Sequence, residues 1–328
     1  MEDIKVSVIV PIYNVERFIV RCAESLFRQS LRDVEYIFVD DMTPDRSIEI
    51  LQEIVAHYSL LQENIKIVKH KINKGLPTAR NTGLSVATGE YIFHCDSDDF
   101  VEPEMLETLY RKAKEQDADI VWCDWFLSFE KVERLMQQPS YNSPIEAVKG
   151  MASGVMKFNV WNKLVKRSLY VEKDISFPDG YGMGEDMTMI MLFAEAAKVV
   201  YVPKAFYHYV RTNTNSFSQT YSDQHLEELR YNVNRIETFI KERFGYELDE
   251  YIAYMKLETK FPFLLSGNSA KLRLWSEWYP EANCHIMKNK QIPLRNRLLQ
   301  WCAWKNLMWL VRLYSFIFNF IIYGVLYK

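Results

Sequence analysis

Over the first 125 residues, short apolar, β-branched runs alternate with stretches whose apolar residues recur every three to four positions. Residues 6–12 (VSVIVPI) predict a buried strand, and 15–29 place Phe18, Ile19, Cys22, Leu26 and Phe27 on one helical face. The alternation continues with strands at 35–39, 65–68, 90–95 and 120–126 and helices at 45–58, 76–87 and 103–116, the last opened by a proline. Helices of this length between strands imply βαβ units with right-handed crossovers and a mostly parallel sheet. Ligands of such sheets bind beyond the carboxyl ends of the strands.

From 130 to 173 the pattern gives only a helix at 144–156. A glycine-rich turn, FPDGYGMG, then leads into a helix from 185 or 186 to about 197. Segments 199–202 and 205–210 read as closing strands, 223–244 as an amphipathic helix, and the chain beyond as helical to about 305. The expected division is an α/β domain over 1–220, with a nucleotide half to about 125 and an acceptor half from 126, followed by a helical region over 221–328.

Composition narrows the class. With 48% hydrophobic residues, 25% charged and only 11 glycines in 328, the chain is neither disordered nor linker-rich. The formal charge of −3 gives no case for nucleic acid, but it is unevenly spread. From His285 onward there are seven Lys and Arg and no Asp or Glu, which leaves 33 basic against 43 acidic residues before it. Five cysteines without a C-x-x-C pair suggest reduced thiols, and the start MEDIK lacks the pattern of a signal peptide, so a cytoplasmic location is expected.

Carboxylates follow the strands: Asp40 and Asp41 after the second, and Asp96, Asp98 and Asp99 (DSDD) after the fourth. Both groups should face one crevice, where one acid can accept a hydrogen bond from a ribose and another can bind a hard divalent cation. Taken alone, DSDD serves equally well as a solvated, helix-capping turn.

The ordered motifs VSVIVPIYN, VDDMTPD, NKGLPTARNTG and GEYIFHCDSDD resemble the donor-binding half of family 2 glycosyltransferases of the GT-A fold. The likeness covers about the first 110 residues, with shorter matches at 161–163 and 184–186. It implies inverting transfer of a sugar from a nucleotide diphosphate, with Mg²⁺ or Mn²⁺. By the resemblance, Pro11 and Tyr13 line the base and ribose, and Asp41, beside Asp40, meets uracil, which points to a UDP-sugar. Asn73 and Arg80 lie at the base and phosphates, and Asp96 binds ribose next to Ser97. Asp98 ligates the metal, with His208 as a further ligand. Where family members read VDDGSTD, this chain has Met42, Thr43 and Pro44.

The same resemblance makes Asp186 of GMGEDM the base that deprotonates the acceptor, beside Glu185. Acids opening a helix would also simply complement its dipole. Trp161 and Lys163 of WNK fall on the acceptor side, where Trp161 offers a face for a sugar or packs in the core. Arg211, followed by Ser216 and Ser218, resembles a loop that closes over the diphosphate. The run 307–327 is apolar, aromatic and interrupted by Arg312, Ser315 and Asn319, with basic residues upstream. This composition favours a helix lying on a membrane surface, with a spanning helix, a packed helix or a homodimer contact as alternatives. The expected acceptor is a glycan, lipid-linked, built into surface polysaccharide at the inner face of the cell membrane. A dinucleotide-dependent oxidoreductase is disfavoured because no G-x-G-x-x-G follows the first strand. A catalytically silent member is the other alternative.

Overall fold

A computed structural model describes residues 4–212, 222–266 and 268–318. The chain divides into two compact units: Met1–Glu146 with Phe158–Ile236, and Ala147–Lys157 with Glu237–Lys328. The division falls later than the expected residue 220, and the excursion at 147–157 has no mark in the sequence pattern.

The first unit is built on one sheet. Strands β1 (Val6–Ile12), β2 (Val34–Asp40), β3 (Ile65–Lys69) and β4 (Tyr91–His94) are parallel throughout, with β1 between β2 and β4. Every residue of β1 and β2 is buried, which explains the near-continuous apolar runs. Helices α1 (Ile19–Phe27), α2 (Ser47–His57) and α3 (Leu76–Val86) make the crossovers. Gly83 lets α3 press on β1, since a Cβ there would overlap the Ile9 side chain.

Beyond β4 the sheet becomes mixed. Short β5 (Phe100–Val101) and α4 (Met105–Gln116) precede β6 (Ile120–Ser128), and β7 (Glu133–Met136) returns along β6. After α5 (Pro144–Ala152), β8 (Lys163–Lys166) inserts antiparallel between β4 and β6. Four residues of KLVK carry too little periodicity to reveal that strand. Next come α6 (Arg167–Glu172), a single 3₁₀ turn at Glu185–Met187, α7 (Thr188–Glu195) and β9 (Val199–Val210). The two expected closing strands are one, pairing parallel with β6 through a register shift at Cys123–Asp124 and antiparallel with β5. Helix α8 (Asp223–Phe244) begins in this unit.

The second unit is helical: α9 (Asp249–Leu265), α10 (Ser269–Glu277), α11 (Leu294–Trp304) and α12 (Met308–Phe318). Buried Lys260 donates to Trp278 O (2.7 Å) and Asn283 Oδ1 (2.7 Å), which satisfies a charge that burial would otherwise expel. On α12, Val311 and Ser315 are buried, whereas Trp309, Leu313 and Phe316 are exposed. Among the described residues no helix is long and apolar enough to cross a membrane. The end of the expected surface helix, 319–328, lies outside the described residues.

Candidate active site

Because β1, β2 and β4 run parallel, the turns after them open on one edge of the sheet. A cavity of about 420 Å³ lies there, lined by Pro11, Tyr13, Asp41, Asn73, Asp96, Ser97 and Asp98 among others. Six of the expected donor-binding residues and the expected metal ligand Asp98 are thus brought together, half-exposed Tyr13 forming part of the wall.

The turn after β2 is held by its own side chains. Thr43 N donates to Asp40 Oδ1 (2.9 Å), and Thr43 Oγ1 donates to Asp45 Oδ1 (2.7 Å) while accepting from Asn14 N (2.8 Å). Asp45 Oδ1 also accepts from Ser47 N at the start of α2 (3.1 Å). Met42 has φ +57°, a left-handed conformation natural to glycine, so the departure from VDDGSTD keeps the turn at the cost of strain. Asp40 itself faces this turn and Lys69 Nζ (3.6 Å) and does not line the cavity.

Asp41 lines the cavity and also orders the next segment. Lys74 N donates to its Oδ1 (2.8 Å) and Gly75 N to its Oδ2 (2.8 Å). His70 Nδ1 lies 2.7 Å from Asp41 Oδ1 and its Nε2 lies 2.8 Å from Thr82 Oγ1. A carboxylate can only accept, so the pairing assigns the proton to Nδ1 and lets Nε2 accept from Thr82. No motif marked His70, a single histidine among lysines.

The DSDD turn is fastened from β9. Tyr207 Oη donates to Asp99 Oδ2 (2.7 Å) and accepts from Asp96 N (3.1 Å), and Val210 N donates to Asp99 Oδ1 (2.7 Å). Burial, with Asp98 and Asp96 nearby, raises the Asp99 pKa well above the usual carboxylate range. Asp99 therefore has a structural place in the turn, which leaves Asp96, Ser97 and Asp98 on the cavity side.

Arg80, 1% exposed on α3, links this edge to the expected base. Its Nη2 donates to Asp96 Oδ1 (3.0 Å) and lies 3.6 Å from Glu185 Oε1, and Phe177 lies beneath the guanidinium at 5.6 Å. Burial opposes its charge, but Asp96, Glu185 and Asp186 outweigh that and keep it ionised. Glu185 is buried and Asp186 half-buried in the 3₁₀ turn before α7. Burial, together with the Asp186 charge, pushes Glu185 up to about 8, and burial pushes Asp186 up to about 6 against the pull of Arg80 and Lys163.

The other expected residues do not line the cavity, although Lys163 is near enough for its charge to act on Asp186. Lys163 is buried, donates to Asn159 O (2.5 Å) and Asn162 Oδ1 (2.9 Å), and is lowered to about 7 by burial. The Trp161 ring is buried and stacked on Tyr207 and Tyr209, with centroids 4.4 and 5.4 Å away, which is a packing arrangement. His208 is stacked on Phe100 and Phe126, and its ring nitrogens meet Glu133 Oε1 (2.7 Å) and Glu102 Oε1 (2.9 Å). The structure does not bring His208 to the cavity lining. Arg211 is exposed, extends the β9 ladder through its N–H to Ser128 O (2.9 Å), and also lies off the cavity lining. Ser216 and Ser218 lie outside the described residues.

Comparison with known proteins bears on the family and the fold. Residues 7–182 match the model of glycosyl transferase family 2. The chain is 34% identical to the uncharacterized glycosyltransferase EpsJ of Bacillus subtilis over 68% of its own length and 67% of that protein's. It is 33% identical to the cholesterol galactosyltransferase of Borreliella burgdorferi, over 84% and 79% of the two chains. In fold it is similar to Staphylococcus aureus TarS 1–349, solved with UDP-GlcNAc, with a TM-score of 0.68, 20% identity, and 94% and 89% of the chains covered. The strand order, the carboxylate-lined cavity and the extent of these matches together show that the chain belongs to glycosyl transferase family 2, with the GT-A fold.

Proposed function

We propose that the protein transfers a sugar from a UDP-sugar to a hydroxyl of a glycan acceptor, with inversion at the anomeric carbon, in the synthesis of surface polysaccharide. The observation that carries this reading is the join made by Arg80 between the Asp96 side of the cavity and the Glu185–Asp186 turn. Asp41 and Asn73 would meet the base, and Asp96 the ribose. Asp186, raised toward neutrality by burial, takes the acceptor proton during a single displacement. The UDP ligand of TarS supports the choice of nucleotide.

The donor set also fits a divalent cation. Asp98 and Asp96 present hard oxygens to the cavity. Mg²⁺ or Mn²⁺ held by these two carboxylates would take its remaining ligands from water and phosphate. When bound there, such a cation neutralises charge on the departing diphosphate. Thermal shift and UDP release with a panel of UDP-sugars, with and without Mn²⁺, test the donor. Loss of Mn²⁺-dependent stabilisation in Asp98→Ala is expected; stabilisation by every UDP-sugar without metal would refute the metal reading.

A lipid-linked acceptor at the inner face of the cell membrane completes the proposal. The relative named for cholesterol supports a lipid acceptor, and the exposed Trp309, Leu313 and Phe316 stripe beside basic Arg312 suits an anionic surface. Replacing Trp309 and Phe316 by Ser should weaken cosedimentation with anionic vesicles; unchanged binding would sink the membrane part.

A further inference from the structure

The two acids of the expected base turn sit in a segment with little regular structure of its own, between α6 and α7. Its conformation is set from outside. On the donor side, Asn81 of α3, next to Arg80, donates from Nδ2 to Phe177 O (2.9 Å) and accepts at Oδ1 from Phe177 N (2.9 Å). On the other side stands α8, whose residues 228, 231, 232 and 235 share one helical face.

Asn232, 1% exposed, donates from Nδ2 to Tyr181 O (3.1 Å), to Met183 O (3.0 Å) and to Glu228 O within its own helix (3.2 Å). Buried Glu228 accepts from Met183 N at Oε2 (2.9 Å), and its Oε1 accepts from Gln224 Nε2 (2.9 Å). Arg235 donates to Ser176 O (2.6 Å) and to Thr188 Oγ1 (3.0 Å), while Tyr231 stacks on Tyr181 at 3.6 Å. Backbone before the acids and the first residue of α7 after them are therefore tied to one rigid helix face. Gly184, with φ +87°, permits the approach, since a Cβ there would meet Leu229 Cδ1 at 3.0 Å.

We propose that Asn232 and Glu228 are positioning residues for the reaction: through Met183 they set where Asp186 stands relative to the donor cavity. The inference rests on the reading of Asp186 as base. Both residues lie beyond the span matched by the family model, which ends at residue 182. A base must stand within hydrogen-bond reach of the proton it removes, so a displacement of about 1 Å lowers turnover on the order of 100-fold while donor contacts at β1, β2 and β4 stay as they are.

The test uses the full chain with Mn²⁺ and a pool of UDP-Glc, UDP-Gal, UDP-GlcNAc and UDP-GalNAc. UDP release, with water as the acceptor and each sugar nucleotide taken separately once the pool shows turnover, gives kcat and KM, and calorimetry gives UDP affinity. Asn232→Ala is expected to lower kcat by about 10- to 100-fold with UDP affinity within about twofold. Its acidic limb should also move to lower pH, because a loosened turn hydrates Asp186 and its pKa falls toward the ordinary carboxylate value. Glu228→Ala should repeat the loss, and Glu228→Gln should restore most of it, since an amide oxygen still accepts from Met183 N. This pair decides the matter if Asn232→Ala does not fold. A kcat within twofold of the parent in both alanine variants overturns the proposal. So does a loss of kcat with an unmoved pH limb and a parallel loss of UDP binding, which marks a structural role. Asp186→Asn separates the two levels: if it turns over normally, the base reading itself has failed, whatever Asn232 does.

Discussion

The donor edge and the base turn lie in the same unit but start from different backbone. At the donor edge, Asp41, Asp96 and Asp98 sit a residue or a few past the ends of parallel strands, which bring them to one edge, where His70 and Tyr207 then fasten the turns. Side chains close in sequence hold the turn after β2, as Asp40, Thr43 and Asp45 show. The base turn has no strand behind it. It is held by α3 on one side and α8 on the other, some 45 to 100 residues away in the chain. An acid just past a strand end starts from paired backbone and is then fastened by side chains, whereas an acid in an irregular segment depends on its distant partners alone.

The sharpest break of this comparison is at the base. Asp186→Asn should reduce sugar transfer by about 10²- to 10⁴-fold, the usual contribution of a general base, with UDP affinity unchanged by calorimetry. A matching loss of UDP binding would show that the two regions are not separable. The base works ionised, and its pKa is raised to about 6, so kcat should climb as pH rises through about 6 and flatten above. The acidic limb should vanish from the residual activity of Asp186→Asn.

Arg80, which joins the regions, comes next. Arg80→Met leaves the Asp96 carboxylate without its cation and should cost about 3 to 5 kcal/mol in denaturant unfolding, whereas a loss under 1 kcal/mol would mean the join carries little. Within the donor edge, Tyr207→Phe removes the hydroxyl shared by Asp99 and the Asp96 N–H. A loss of about 1 to 3 kcal/mol is expected, measured the same way. The smallest effect is at Met42. Glycine suits its φ of +57°, so Met42→Gly should gain up to about 1 kcal/mol, less the entropy that glycine adds to the unfolded chain; a loss would show that the side chain has a partner role.

The legibility of the sequence follows the same division. Strands β1, β2 and β4 were readable because a parallel strand buried on both faces is nearly continuously apolar, part-exposed edge strand β3 because IKIVK alternates, and the crossover helices because they are amphipathic. Strands β7 and β8 were not, being four residues each and stabilised by neighbours brought in from elsewhere in the chain. Sequence marked Asp41, Asp96 and Asp98, but gave no hint that His70 and Tyr207 orient them, since neither residue is part of a local pattern. For His208 the resemblance implied a metal ligand, and the strand pairing stacks it on two phenylalanines with two carboxylates at its ring nitrogens, off the cavity lining.

By itself, then, the sequence determined the βαβ order, the edge of the sheet where the acids gather and the family to which the motifs belong, because short-range periodicity and turn chemistry encode all three. Only the tertiary structure decided that Asp99 faces inward, that Arg80 joins Asp96 to Glu185, and that a face of α8 holds the base turn. Those outcomes depend on burial and on hydrogen bonds between residues far apart in the chain, which no local pattern records.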